Sequence, residues 1–151
     1  MKLRDLLNEA KPKYYGKIGA GVLAVAKDTG RFLIGLRGKD ADYPNTWCGL
    51  GGKAEENENL KQTAEREFKE ESGYNGNIDL YPAYTFKDTG FRFQNYIGQV
   101  DSEFKPIGDK ENREFKWVSF KDLIRIKPKH FGLDIMLKDP KTINVIKKCI
   151  S

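Results

Sequence analysis

Histidine and cysteine are scarce in this chain of 151 residues. The one histidine, His130, excludes a multi-histidine metal site and leaves few routes to histidine-based chemistry. Its context, KPKHFG, predicts a solvated loop residue. The two cysteines, Cys48 and Cys149, stand far apart and form neither a disulfide framework nor a paired zinc-ligand spacing. They are expected to be reduced thiols. No apolar run approaches the length of a membrane span. The opening MKLRDLLNEAKPKYYG has neither a long apolar core nor a small-residue cleavage site, so it is not a secretory signal. These absences point to a cytoplasmic protein with no membrane partner. Repeats, low-complexity tracts and long linkers are also missing, which predicts one domain over residues 1–151.

What is present is an ordinary globular balance, 38% hydrophobic and 32% charged, with a net charge of +5. The charge is unevenly placed. Between Gly51 and Tyr74 lie Glu55, Glu56, Glu58, Glu65, Glu67, Glu70 and Glu71. Lys53, Lys61, Arg66 and Lys69 offset them only in part, so this stretch carries −3 and the remainder +8. A basic body around an acidic patch suits an anionic ligand bridged to carboxylates by cations. It equally suits weak nucleic-acid binding.

The spacing of Leu3, Leu6, Leu7 and Ala10 predicts a short helix over 2–10, ending before Pro12. GKIGAGVLAVAKDTGRFLIGLRG reads as a hairpin turning at Asp28-Thr29-Gly30. Residues 38–46 read as a loop and Trp47 to Leu50 as a short strand entering Gly51-Gly52. IDLYPAYTFKD and FRFQNYIGQV read as strands joined through Asp88-Thr89-Gly90, and EFKWVSF as another. KDLIRI reads as a helical turn and PKTINVIKKCI as a helix. Strands on both sides of a central helix predict an α/β (α+β) fold, a mixed sheet with helices packed on it.

Residues 58–72 should form that central helix. Asn57 or Asn59 is the expected cap, acidic residues crowd the first turn, and Gly73 is the expected stop. Leu60, Ala64 and Phe68 mark its buried stripe. At about 100° per residue, Glu67 and Glu71 fall on the side of Leu60 and Ala64, while Lys61, Gln62, Glu65 and Lys69 fall opposite. Glu65 suits a solvated face, paired with Lys61 and Lys69. Glu67 and Glu71 instead point toward the body or a cleft in it. With Glu70 they form an i, i+3, i+4 cluster of like charge, which costs roughly 0.2–0.5 kcal/mol per pair in an exposed helix. A divalent cation would offset that cost, and hard oxygen donors favour Mg²⁺ or Mn²⁺ over zinc. Gly51-Gly52 permits close backbone approach, either for a carbonyl ligand or for a simple tight turn.

At these residues the sequence resembles the Nudix hydrolase family. Gly52, five residues, Glu58, seven residues and then Arg66-Glu67-Phe68-Lys69-Glu70-Glu71-Ser72-Gly73-Tyr74 resemble the Nudix box, GX5EX7REUXEEXGU with U bulky and apolar. Every fixed position matches. The resemblance implies an α/β/α sandwich with the box as loop–helix–loop. It implies Mg²⁺- or Mn²⁺-dependent hydrolysis of a nucleoside diphosphate linked to another group. Glu67, Glu70 and Glu71 would hold the metal, with the Gly52 carbonyl as a further ligand. Arg66 and Glu58 would pair and orient the glutamates. The general base would lie in the box, as Glu70 or Glu67, or in a later loop, where Glu111 and Glu114 are candidates. For Glu111 a plain charged loop residue is the alternative. Arg37, closing LIGLR, would grip phosphate or remain a solvated arginine. Tyr43, Trp47, Phe91 and Phe93 would stack on a base or pack in the core.

The implied substrates are ADP-ribose, dinucleoside polyphosphates or FAD-like dinucleotides. A house-cleaning pyrophosphatase of nucleoside triphosphates and an RNA 5′-end pyrophosphohydrolase are alternatives. The second would use the lysine-rich stretch from Arg125 to Lys148, although RNA is not the favoured partner. A non-catalytic nucleotide sensor on the same fold is the alternative from another class. The proline that many ADP-ribose enzymes carry some fifteen residues beyond the box is replaced here by Thr89-Gly90. A monomer and a homodimer both fit the sequence.

Overall fold

The computed structural model describes residues 17–108 and 112–150. The helix expected over 2–10 and the candidate base Glu111 lie outside the described residues.

The sheet is organised on β1 (Lys17–Ala26). A turn with Gly30 at φ 72°, a conformation glycine adopts without strain, leads into β2 (Phe32–Arg37). The expected hairpin forms only at its closed end, where Ala24 faces Leu33 and Val25 faces Phe32. Beyond that point β4 (Leu50–Lys53) replaces β2 beside β1, from Val22 opposite Leu50 to Gly19 opposite Lys53. Gly51 and Gly52 are therefore strand residues rather than a turn before the helix. β2 pairs instead with β3 (Trp47–Cys48) and with β7 (Asn112–Val118).

On its other edge β1 runs parallel to β6 (Phe91–Val100), in register from Lys17 with Phe91 to Ala26 with Val100. β5 (Ile78–Asp88) pairs antiparallel with β6 and completes the order β3-β2-β1-β6-β5. Its register shifts between Pro82 and Thr85, where a proline without a ladder donor fits. Thr142 Oγ1 accepts the Tyr84 N–H of that irregular stretch at 3.0 Å, so α4 (Pro140–Ile150) satisfies a donor the ladder leaves over.

Alternation along β1 builds two cores. Ala20, Val22, Ala24 and Ala26 join Leu50, Tyr96, Ala64 and Phe68 under α1 (Leu60–Ser72). Leu23 and Val25 join Phe32, Ile34, Ile97, Met136 and Ile146 on the opposite face. α2 (Phe120–Arg125), α3 (Phe131–Lys138) and α4 contribute to that second layer. The result is the expected α/β/α sandwich. No helix among the described residues is long and apolar enough to cross a membrane. Neither cysteine is in a disulfide, and the Cys48 thiol donates to the Gly35 carbonyl at 3.6 Å.

α3 is the element the sequence reading did not anticipate. Its cap is His130, whose Nδ1 accepts the Gly132 N–H at 3.0 Å. His130 is half-buried against Tyr43 and Phe131, so it is a structural cap and not a solvated loop residue. Burial, reinforced by the Arg37 charge, holds its pKa down to about 4.

Candidate active site

α1 is fixed at both ends by its own sequence. Asn59 Oδ1 accepts the Gln62 N–H at 2.8 Å and Gln62 Oε1 accepts the Asn59 N–H at 2.9 Å, a reciprocal capping box. Gly73, at φ 76°, donates its N–H to the Lys69 carbonyl and ends the helix. The cap falls on Asn59, so Glu58 precedes the helix and the first turn holds no acid, contrary to the expectation of acids crowding it. Ala64 and Phe68 are fully buried and set the helix rotation. Thr63 and Ser72 are also buried, on a stripe wider than the one read from spacing.

That rotation grades the three box glutamates from interior to solvent. Glu71 is 5% exposed, and its Oε1 accepts the Gly51 N–H of β4 at 3.0 Å. The Glu67 side chain is 18% exposed and packs on Gly52. A Cβ at Gly52 would lie 2.5 Å from the Glu67 carboxyl carbon, so the carboxylate uses the space glycine leaves. The Glu70 side chain, 60% exposed, reaches solvent. Glu65 pairs with Lys69 at 3.3 Å on the opposite face, as its spacing predicts.

Arg66 ties the group together. Its Nε and Nη2 donate to the two Glu58 oxygens at 2.7 and 3.0 Å. Nη2 also donates to the Lys53 carbonyl at 3.0 Å, anchoring the end of β4. The remaining nitrogen, Nη1, lies 3.0 Å from Glu67 Oε1 and 3.3 Å from Glu70 Oε2. Glu58 further accepts the Thr63 hydroxyl and the Glu55 N–H. The Arg66 fork, helped by that backbone N–H, holds the Glu58 carboxyl down to about 2. Glu58 in turn pushes the Arg66 guanidinium up.

The donor set fits a hard divalent cation in kind. It consists of carboxylate oxygens beside a glycine backbone, and one cationic nitrogen already rests between Glu67 and Glu70. Among the described residues no group of three or more His, Cys, Asp or Glu side chains is arranged to hold a metal ion. Glu67 and Glu70 meet at Arg66, while Glu71 is turned beneath β4.

Beside Glu58 and Glu67 opens a cleft of about 1200 Å³. Ile18 of β1 and Arg92 and Tyr96 of β6 also line it. Sequence reading missed these three. Their only signal is the parallel pairing of β1 with β6, which no local pattern reveals.

Arg37 does not line this cleft. Its Nε donates to the Asp42 carbonyl and its backbone carbonyl accepts the Asn45 N–H, so it folds the loop 38–46. Glu114 is exposed on β7 opposite Leu36. Tyr43 packs against His130 and Phe131. Trp47 is buried, with Lys116 Nζ 5.3 Å from its ring centre. Phe93 covers Gly19 and Gly21 on the sheet face away from α1.

Comparison with known proteins places this architecture. The family model described as NUDIX domain matches residues 17–139. No curated protein matches the sequence. Among solved structures, the chain is similar to a Nudix hydrolase from M. smegmatis, RenU, with TM-score 0.73 and 17% identity over 91% of this chain and 88% of that one. It is similar to a MutT protein from Methanosarcina mazei Go1, with TM-score 0.65 and 21% identity over 81% and 91%. A C. elegans Ap4A hydrolase gives TM-score 0.64 and 21% identity over 80% and 93%.

Proposed function

The chain belongs to the Nudix family, whose members are pyrophosphohydrolases that use divalent cations, and from that premise we propose that it hydrolyses the phosphoric anhydride of a nucleoside diphosphate derivative. Glu67, Glu70 and Glu71, with the Gly52 carbonyl, would hold Mg²⁺ or Mn²⁺. When bound, such an ion neutralises the phosphates and lowers the charge barrier to attack.

The observation that carries the reading is the three-way grip of Arg66. Its Nε and Nη2 stay on Glu58 while Nη1 reaches Glu67 and Glu70. Glu67 and Glu70 would help hold the cation at the cost of their contacts with Nη1 alone, while Nε and Nη2 on Glu58 keep Arg66, and so the helix glutamates, oriented. Buried Glu71, tied to Gly51, fixes the helix face against β4. Glu70 is the solvent-reaching member and would take a proton from attacking water. The cleft beside Glu67 has room for the nucleotide.

The proposed substrates are ADP-ribose, dinucleoside polyphosphates and FAD-like dinucleotides, and the likeness to an Ap4A hydrolase supports the second. The test is a panel of these nucleotides with Mg²⁺ and with Mn²⁺, comparing the intact protein with Glu70→Gln and Glu71→Gln. Turnover lost in both variants supports the assignment. Full activity in both contradicts it.

A further inference from the structure

The cleft holds two kinds of charge with different fates. Glu55, Glu56, Glu58 and Glu67 line it. So do Lys53, Lys61, Arg66 and Arg92, and the two sets cancel. Arg66 is committed to the carboxylates, with Glu58 and Glu67 in its fork and Glu55 3.7 Å away. Arg92 is not. It is exposed, and its side chain makes no hydrogen bond or ion pair with the described residues, although carboxylates line the same cleft.

Its position follows from register. Arg92 sits beside Ile18 in the parallel β1–β6 ladder. It shares with Ala20, Val22 and Tyr96 the sheet face covered by α1. Arg92 thus lines the same cleft as Glu67 from the β6 side of β1, while Glu67 packs on Gly52 of β4 on the other side, and Ile18 and Tyr96 line it too. Neutralising the carboxylate side with divalent cations would leave the whole cleft net positive. A phosphate chain longer than a diphosphate would extend from the carboxylate side toward Arg92, whose planar fork suits two-point phosphate binding.

We propose that Arg92 binds the distal phosphates of an extended polyphosphate chain, and so sets a preference for polyphosphate-linked nucleotides over diphosphate sugars. This rests on the pyrophosphohydrolase reading above.

The direct test is calorimetric titration of the protein, with Mg²⁺ present, against inorganic tripolyphosphate and against pyrophosphate. The intact protein should bind tripolyphosphate more tightly. Arg92→Gln should weaken tripolyphosphate about ten- to hundredfold, the worth of a hydrogen bond between charged groups. Arg92→Lys should recover part of that loss, and Lys147→Gln, on α4, should leave the titration unchanged. In steady state with Mg²⁺, the ratio of kcat/KM for diadenosine tetraphosphate to that for ADP-ribose should fall in Arg92→Gln, through KM. Tripolyphosphate binding that is absent from the intact protein, or unchanged in Arg92→Gln, overturns the proposal. If the intact protein turns over neither nucleotide, the pyrophosphohydrolase reading fails, and the tripolyphosphate titration still decides the role of Arg92.

Discussion

Arg66 and Glu58 form a two-point ion pair, Nε to Oε2 at 2.7 Å and Nη2 to Oε1 at 3.0 Å, that joins the loop before α1 to the middle of the helix. Only a guanidinium can hold both Glu58 oxygens and still present a third nitrogen to Glu67 and Glu70. Arg66→Lys is therefore expected to lower kcat about tenfold or more, the usual cost of losing a residue that orients ligands. It should also lower Tm by about 5 °C. Steady-state kinetics and thermal melts check both. Unchanged kcat would show that the fork positions nothing.

The same pair predicts an acid limit. The folded Glu58 carboxyl titrates near 2, against an ordinary value of 4.5. A carboxyl held low stabilises the fold fully above its unfolded value and loses that contribution as pH falls toward its folded value. The denaturation midpoint should thus drop between pH 4.5 and about 2, and Glu58→Gln should flatten that part of the curve. An identical slope in the variant would remove Glu58 as its source.

His130 predicts a second, separate window. Its folded pKa is near 4 against 6.5 unfolded, so between those values the unfolded chain binds the extra proton. Stability is complete above pH 6.5 and declines as pH falls toward 4. Protonation also removes the Nδ1 lone pair that caps α3. His130→Asn, which retains a capping acceptor without titrating, should abolish the decline between pH 6.5 and 4.5. Chemical denaturation across that range reads the difference.

Gly52→Ala tests how closely Glu67 approaches β4. The added methyl would meet the Glu67 carboxyl carbon at 2.5 Å, so the side chain must move. A loss of about 1–3 kcal/mol in stability is expected from overpacking. A larger proportional loss in kcat should accompany it, because the displaced group is a proposed metal ligand. Denaturant titration and kinetics of the same sample separate the two effects.

Local chemistry made much of this legible in sequence. The bounds of β5, β6 and α4 agree with the runs read as IDLYPAYTFKD, FRFQNYIGQV and PKTINVIKKCI, because turn glycines and a leading proline punctuate them. The inward turn of Glu67 and Glu71 followed from their angle to Leu60 and Ala64. Non-local pairing escaped. β4 displaces β2 beside β1, and β6 enters parallel, so Arg92 and Tyr96 reach the cleft from residues far along the chain. α3 escaped because its cap is a histidine, an unusual acceptor for that position.

The account depends on Glu67, Glu70 and Glu71 sharing a divalent cation. Titration of Mn²⁺ followed by electron paramagnetic resonance measures this directly, in the intact protein and in Glu67→Gln, Glu70→Gln and Glu71→Gln. The account predicts Mn²⁺ binding to the intact protein, weakened about tenfold or more in each variant. Mn²⁺ affinity equal in all four proteins would contradict it.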